Sequence, residues 1–124
     1  MHDSRKIIAF CGSSKFKEVF LAVAKGFALR GYVVIPPIIY SHTDGVQFSA
    51  EEEHMLEAEN IVKMSIADVI VLINPNDYVG EGMIRETRAI KSIENKEIYV
   101  LEDGEHIRSL LQSVNITKFK VIDR

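Results

Sequence analysis

The sequence predicts a doubly wound α/β domain, a three-layer sandwich in which a mainly parallel sheet lies between two layers of helices. Strand-like and helix-like patterns alternate along the whole chain, which is the order that a parallel sheet requires. Residues 67–73, which are aliphatic apart from Asp68, form a run of the kind found in a strand buried on both faces. The 124 residues suffice for one domain with a substantial core. We therefore expect a single domain over residues 1–124 with a five-stranded sheet.

The first half of the chain contains two predicted strands and two predicted helices. Residues 6–11 form the first strand, and apolar residues at helical spacing predict a helix over residues 16–29 that ends at Gly31. The second strand covers residues 32–36 and stops at two successive prolines. Ser49 is the predicted N-cap of the second helix, which continues to residue 66 and has an acidic first turn facing the helix dipole.

The second half continues the alternation. The buried strand over residues 67–73 is followed by a polar loop and then by a third helix. The apolar stripe of this helix consists of Ile84, Ala89, Ile90 and Ile93. A fourth strand covers residues 96–101, and a last helix covers residues 105–114. Residues 118–122 alternate between polar and apolar side chains, which predicts an edge strand.

Composition and charge limit the partners that we expect. The net charge is −3, without a basic block, so nucleic acid is not a predicted partner. No apolar run approaches the length of a membrane span, and the first residues lead directly into a strand instead of a signal peptide. Cys11 is the only cysteine, which fits a reducing cytoplasm. We expect a cytoplasmic protein that binds a small molecule, and we predict no cofactor.

A long loop between the second strand and the second helix, residues 37–50, is either functional or mobile. Within it, His42 is a candidate donor of a proton or hydrogen bond, and the alternative is an exposed histidine without a role. His42 and His54 lie near the acidic residues 51–53, but their spacing does not match a known metal motif. We therefore predict no metal site.

Two loops that follow buried strands are the candidate binding elements. Gly12, Ser13 and Ser14 offer amides and hydroxyls to phosphate or sugar oxygens, or they form a helix N-cap with a tight turn. These two interpretations do not exclude each other. In residues 74–86, two glycines are expected to allow close backbone approach and positive φ, and Glu86 points back toward the loop. The alternative is a surface loop with a solvated Glu86.

Three segments of the chain together form a more specific pattern. They are Cys11-Gly12-Ser13-Ser14 with Phe16, residues 67–74, and Tyr78-Val79-Gly80-Glu81 followed by Glu86. Their order and spacing resemble the nucleoside 2-deoxyribosyltransferase-like superfamily, and in particular its compact bacterial and phage branch. That branch has a G-S-x-x-F loop, a Y-[IV]-G-E-x-x-x-x-E segment, and Ser-His-x-Asp-Gly in the loop that corresponds to residues 37–45. The resemblance covers residues 7–101.

The resemblance implies a flavodoxin-like or Rossmann-like fold and chemistry at the N-glycosidic bond of a nucleoside or nucleoside monophosphate. In the family, the glutamate that matches Glu86 attacks the anomeric carbon and forms a glycosyl-enzyme. Tyr78 is the second candidate catalytic residue, since it is expected to hold this carboxylate in place. The candidate substrate-binding residues are Gly12, Ser13, Ser14, Phe16, His42, Asn60, Asn74, Gly80, Glu81 and Gly82.

Three positions depart from the pattern of the better-known transferases. The acid six residues before the nucleophile is Gly80 here, and the Ser or Thr three residues before it is Met83. The helix position at which relatives carry Asp or His is Asn60. Two hypotheses therefore stand: an N-glycosidase or deoxyribosyltransferase, and a nucleotide-binding regulatory or interaction module without turnover.

The resemblance also implies a homodimer or a higher homo-oligomer, because relatives complete their pockets with residues from a neighbouring subunit. The second helix has apolar residues on more than one face, which favours a contact beyond its own sheet. These residues are Met55, Leu56, Ile61, Val62 and Met64.

Overall fold

A computed structural model describes residues 4–36 and 47–123, and it confirms the alternation of strands and helices. The strands are β1 (Ile7–Gly12), β2 (Val33–Val34), β3 (Val69–Ile73), β4 (Glu97–Val100) and β5 (Lys120–Val121). The helices are α1 (Lys17–Leu29), α2 (Ala50–Ile66), α3 (Glu81–Ala89) and α4 (Glu105–Ser113). Short 3-10 turns lie at Ser14–Phe16, Pro75–Asp77 and Ile93–Asn95.

The five strands form one sheet in the order β2-β1-β3-β4-β5, and every pair is parallel. This is the flavodoxin-like doubly wound order, so the predicted fold class is confirmed. β3 lies at the centre, and all five of its residues are buried. The carboxyl ends of β1 and β3 are in register, with Gly12 opposite Ile73. The loops that follow these two strands therefore begin side by side.

The two faces of the sheet are covered differently by the described helices. α2, α3 and α4 pack on one face, where Met64, Met83 and Ile107 belong to a common core cluster. α1 packs on the other face and inserts Phe20 and Phe27 against the sheet. No helix in the described part of the chain is long and apolar enough to cross a membrane.

Two predicted helix boundaries are confirmed in detail. Ser49 Oγ accepts a hydrogen bond from Glu52 N (3.1 Å), and Ser49 N donates to Glu52 Oε1 (2.9 Å), which completes a capping box. Gly31 has φ +92°, a left-handed conformation that favours glycine just after a helix.

The predicted third helix is wrong at its C-terminal end. α3 ends at Ala89, Ile90 is extended (φ −82°, ψ 113°), and Ser92 is left-handed (φ 59°). Ile93 lies in a separate 3-10 turn, yet Ile90 and Ile93 are both buried in the core cluster of the α2–α4 face. The apolar spacing therefore identified residues with a common burial site, and the burial does not require one continuous helix.

The edge strands are shorter than predicted. β2 has two residues, although Ile35 N also donates to Ile8 O (2.9 Å) before Pro36 ends the ladder. β5 likewise covers Lys120–Val121 within the predicted residues 118–122. An edge strand has only one neighbour, so fewer hydrogen bonds define its ends.

Candidate active site

Glu86 lies on α3, and its carboxylate points toward the end of β1. Asn60 Nδ2 of α2 donates a short hydrogen bond to Glu86 Oε2. The Sγ atom of Cys11, in β1, lies 3.8 Å from the same oxygen. Three elements that are distant in the sequence thus converge on one half-buried carboxylate at the carboxyl edge of the sheet.

Asn60 is held in place from both sides. Its Nδ2 atom also donates to the backbone carbonyl of Phe10 (3.3 Å), which lies inside β1. An amide nitrogen carries two hydrogens, so Asn60 can serve the strand backbone with one and Glu86 with the other. The sheet therefore fixes the direction from which Asn60 approaches the carboxylate.

Burial is the main electrostatic influence on Glu86. The pKa of this carboxyl is raised from 4.5 to about 7, with burial as the largest cause and the negative charge of Glu57 acting in the same direction. The hydrogen bond from Asn60 acts in the opposite direction, because it favours the ionised form. Near neutral pH the carboxyl is therefore present in both protonation states, as suits a group that attacks as an anion or exchanges a proton.

Cys11 is a neutral neighbour of this carboxylate. Burial raises the pKa of its thiol well above 9.0, and the adjacent Glu86 reinforces the shift. The thiol is buried and free. Because a nucleophilic cysteine needs its thiolate form, Cys11 serves here as a weak hydrogen-bond donor to Glu86.

The structure shows an ion pair next to Glu86 that the sequence analysis did not predict. Arg85 Nε lies 3.0 Å from Glu57 Oε1, and Arg85 Nη2 lies 3.3 Å from Glu57 Oε2. Glu57 precedes Asn60 by one helical turn, so both side chains leave α2 on the side that faces α3. Helical spacing predicts that the two residues share a face, but only the tertiary structure shows that this face meets Arg85 and Glu86.

Gly12, Ser13 and Ser14 connect β1 to α1. A Cβ atom at Gly12 would lie 2.5 Å from the carbonyl oxygen of Ile73, so glycine lets the ends of β1 and β3 approach closely. Ser13 Oγ accepts a hydrogen bond from Lys15 N (3.4 Å) and caps the 3-10 turn, which confirms the structural interpretation of this loop. Ser14 is half-buried at the start of that turn. Ligand binding by this loop stays a prediction.

The loop after β1 meets the loop after β3 through aromatic side chains. The rings of Phe16 and Tyr78 make an edge-to-face contact with centroids 5.5 Å apart. Lys15 Nζ lies 3.5 Å from the centroid of the Tyr78 ring, a cation–π contact. Between the loops lies a cleft of about 440 Å³, whose walls include these three residues and His106.

Tyr78 lies over the start of α3. A Cβ atom at Gly80 would lie 3.1 Å from both Cε1 and Oη of the Tyr78 ring, so glycine leaves room for this ring. Within the described residues, the hydrogen-bond partners of the Glu86 side chain are Asn60 and Cys11, and Tyr78 is not among them.

The expectation of positive φ at Gly80 and Gly82 is wrong. Gly80 is the N-cap of α3 with φ −84°, and Gly82 lies inside the helix with open space around it. The left-handed residues of this loop are Asn76 and Asp77, each with φ 58°. Asn and Asp tolerate that conformation better than other residues with a side chain, so the chain turns there instead.

Two more predicted site residues point away from the Glu86 carboxylate. Glu81 is exposed and lies 3.9 Å from Arg85 Nη1. Asn74 is fully buried, and its Nδ2 donates to Glu102 O (2.7 Å) while its Oδ1 accepts from Glu102 N (3.4 Å). The Asn74 side chain therefore connects the loop after β3 to the loop after β4. His42 lies outside the described residues.

Asp77 makes a second connection between these loops. Its carboxylate accepts hydrogen bonds from His106 N (3.0 Å) and Ile107 N (3.1 Å), in the first turn of α4, and lies 3.1 Å from His106 Nδ1. Gly104 is the N-cap of α4, and a Cβ atom there would overlap the Asp77 carboxylate. Burial pushes the pKa of Asp77 upward, but the two backbone donors and His106 together hold it below 3.8.

The predicted site residues thus form two groups at one edge of the sheet. Asn60 and Glu86 are in direct contact, and Phe16, Tyr78 and Gly80 line the neighbouring contact between the loops. In residues 4–36 and 47–123, no cluster of three or more His, Cys, Asp or Glu side chains is arranged to hold a metal ion.

Comparison with known proteins does not assign this site. No model of a known protein family matches the chain, and a search of curated proteins finds no match either.

Proposed function

We propose that the protein cleaves the N-glycosidic bond of a nucleoside or nucleoside monophosphate, by hydrolysis or by deoxyribosyl transfer, with Glu86 as the nucleophile. The observation that carries this proposal is the half-buried Glu86 carboxylate, which Asn60 fixes at the carboxyl edge of a parallel sheet. Ligands of doubly wound folds bind at this edge. The resemblance of residues 7–101 to nucleoside 2-deoxyribosyltransferase-like proteins supplies the substrate class.

In the proposed reaction, an oxygen of ionised Glu86 attacks the anomeric carbon while the bond from that carbon to the base breaks. The base leaves with the bonding electron pair and gains a proton. Water then releases the sugar from the glycosyl-enzyme, or a second base takes it. A carboxylate with little hydration stabilises the cationic centre of the transition state more strongly than one in bulk water.

The surrounding residues are suited to hold a nucleoside. The hydroxyls of Ser13 and Ser14 lie beside the end of β1, where they are candidates to bind a sugar hydroxyl or a phosphate. The free amides at the start of α3 favour an anion. The paired rings of Phe16 and Tyr78 provide an apolar wall for a base.

The second candidate function is nucleotide binding without turnover. The observation that favours it is Met83, which occupies the position of the family's hydroxyl residue and is 3% exposed, packed into the core. Together with Gly80, it leaves two positions without the polar groups that act on the base in better-known relatives.

The decisive experiment measures release of free base by chromatography from a panel of nucleosides and monophosphates, with wild type, Glu86→Gln and Glu94→Gln. Glu86→Gln removes the nucleophile and the negative charge together, so release falls by several orders of magnitude. Ligand binding persists in the Gln variant, because the ground-state contacts lie mostly elsewhere. Glu94 is exposed in the α3–β4 connection, and Glu94→Gln retains wild-type activity.

The outcomes separate the two functions. Base release at comparable rates by wild type and Glu86→Gln excludes Glu86 as the nucleophile. Binding by wild type with no base release on the full panel supports the non-catalytic alternative. Addition of a second free base distinguishes transfer, which produces a new nucleoside, from hydrolysis, which does not.

We also propose that the protein is a homo-oligomer that uses the outer face of α2. Met55, Val62 and Ile66 are 72%, 59% and 62% exposed, and their spacing places them on one stripe of the helix. Met64, which the sequence grouped with them, is instead fully buried in the core. Val62→Glu is expected to weaken association in sedimentation experiments at micromolar concentration. A wild type that is monomeric throughout that range contradicts the proposal.

The cellular location that we propose is the cytoplasm. Cys11 is a free thiol buried beside Glu86, and its reduced form is the one that donates to the carboxylate. Free thiols persist in reducing compartments.

A further inference from the structure

A groove runs beside α1, on the face of the sheet opposite Glu86. It encloses about 470 Å³ between one side of α1 and the end of β5, where Ile122 lines it. Among the described helices, three cover the other face and only α1 covers this one. The groove therefore lies where a second helix packs in a fully covered α/β sandwich.

The centre of the α1 side of this groove consists of small, exposed residues. Ala22 and Gly26 lie one turn apart in its lining and are both exposed, and a Cβ atom at Gly26 would meet nothing within 4 Å. Leu29, on the same side of the helix, is 79% exposed. Small side chains at the centre of such a surface allow another helix to approach to about 8 Å between axes.

Three charged residues line the groove: Asp123 follows β5, and two residues of opposite charge lie at the two ends of the α1 side. Glu18 lines one end and Arg30 lines the other. Both are exposed, and neither forms an ion pair with another side chain in the described parts of the molecule. Along the chain, Ala24 lies midway between Glu18 and Arg30. It also lies midway between Ala22 and Gly26.

We propose that α1 of a second copy of this chain fills the groove, antiparallel to α1 and related to it by a two-fold axis near Ala24. This arrangement places Ala22 of each copy against Gly26 of the other, so the helices meet at their smallest side chains. It also places Glu18 of each copy beside Arg30 of the other. The symmetric contact thus contains two equivalent ion pairs, each between a negative and a positive side chain. This is the self-complementarity that a two-fold interface requires.

This contact is independent of the proposed chemistry and of the proposed contact through α2. It lies on the α1 face, whereas Glu86, Asn60 and α2 lie on the other. Pairing through α1 therefore leaves the candidate active site of each copy open to solvent. Both contacts in one assembly would join the copies through two different faces.

Charge reversal tests the proposal in sedimentation equilibrium experiments at about 1–100 µM protein, a range that covers typical dimer affinities. Glu18→Arg and Arg30→Glu each place like charges together twice in the dimer, and each is expected to weaken it at least about tenfold. The double variant restores opposite charges and regains dimerisation. An equimolar mixture of the two single variants forms a mixed dimer, because every pair in it is again of opposite sign.

A matched pair of alanine substitutions tests the groove itself. Ala22→Glu places a carboxylate at its centre and is expected to abolish association through α1, including in the Val62→Glu background, where the proposed α2 contact is weakened. Ala28→Glu introduces the same side chain at an exposed position of the same helix outside the groove, and it leaves the dimer intact. Circular dichroism of each variant verifies that the monomer is folded.

Two results overturn the proposal. One is a wild type that stays monomeric up to about 100 µM, the top of the concentration range tested. The other is a dimer that resists Ala22→Glu and both charge reversals but is lost on Val62→Glu, which assigns association to α2 alone.

Discussion

Asp77 and Glu86 lie at the same edge of the sheet, yet their surroundings drive their pKa values in opposite directions. Asp77 accepts two backbone hydrogen bonds from the first turn of α4 and faces His106, and its pKa is lowered. Glu86 is more deeply enclosed and receives one amide and one thiol, and its pKa is raised to about 7. The balance between burial, which raises the pKa, and the hydrogen-bond donors and charges that compensate for it decides the direction.

The difference separates a structural carboxylate from a reactive one. Asp77 stabilises the fold as an anion, because its charge satisfies amides that α4 leaves unpaired. Glu86 is destabilised as an anion, so its charge is available to interact with a developing positive centre in a substrate. Active sites commonly hold such perturbed groups, whereas helix caps hold well-satisfied ones.

The largest expected effect on stability concerns Glu86 and pH. Its folded pKa lies above the ordinary 4.5, so the folded state binds more protons, and stability falls as pH rises from about 4.5 to about 7. The shift corresponds to a loss of about 3 kcal/mol over this window. Glu86→Gln is neutral at every pH, so it is expected to be more stable than wild type at pH 8 and similar at pH 4.5. Urea unfolding at both pH values measures the difference.

Glu and Gln have nearly equal helix propensities, so propensity contributes almost nothing to the stability difference and the experiment isolates the effect of burying the charge. Glu94→Gln serves as the control, because Glu94 is exposed and its substitution leaves the pH dependence unchanged. If Glu86→Gln and wild type show parallel stability curves from pH 4.5 to 8, Glu86 is not destabilised as an anion, and the contrast with Asp77 fails.

Asp77 predicts the opposite pH dependence and a smaller effect. Because its pKa is held below 3.8, its contribution is present above that pH and is lost as pH falls further. Asp77→Ala is expected to lower the free energy of unfolding at pH 7 by about 1–2 kcal/mol, the usual cost of removing a helix cap. The urea midpoint, with an unchanged slope, measures this loss.

Gly104 provides the partner substitution for Asp77. Alone, Gly104→Ser places a Cβ atom against the Asp77 carboxylate and is expected to destabilise the protein. In the Asp77→Ala background the space is vacant, and the new Ser hydroxyl can cap α4 locally, with a gain of a few tenths of a kcal/mol, since glycine is itself an acceptable N-cap residue. The sign of the Gly104→Ser effect therefore reverses between the two backgrounds. The same sign in both contradicts capping by Asp77.

The sequence was informative about the fold because the fold follows from local patterns. The aliphatic run of β3, the Ser49 capping box and Gly31 each carry their own structural signal, and the alternation of elements leaves few topologies. The sequence also predicted that the loops after β1 and β3 lie close together, since parallel strands end at a common edge. The extent of α3 was wrong because Ile90 and Ile93 satisfy the apolar pattern from outside the helix.

The site was only partly accessible to sequence reasoning. Asn60 and Glu86 entered through a family pattern, and their hydrogen bond required the tertiary structure. Glu57 and Arg85 meet across 28 positions of sequence, and Asp77 caps α4 across 30 positions to Ile107. Local capping rules look for Ser, Thr, Asp or Asn directly before a helix, and Gly104 occupies that place in α4. No local pattern contains such distant partners.

The last prediction, with the smallest expected effect, concerns the influence of Asn60 on the pKa of Glu86. The amide of Asn60 donates to Glu86 Oε2, which favours the anion and opposes the effect of burial. Asn60→Ala removes this donor, so the pKa of Glu86 is expected to rise further.

If Glu86 acts as an anion, base release increases with pH, and this increase moves to higher pH in the variant. Each unit of that shift reduces the ionised fraction at pH 6 about tenfold and leaves it almost unchanged well above the new pKa. Rates of base release from pH 5 to 9 therefore converge between wild type and Asn60→Ala at the alkaline end. A uniform loss at every pH instead indicates that Asn60 only positions the carboxylate and does not set its charge.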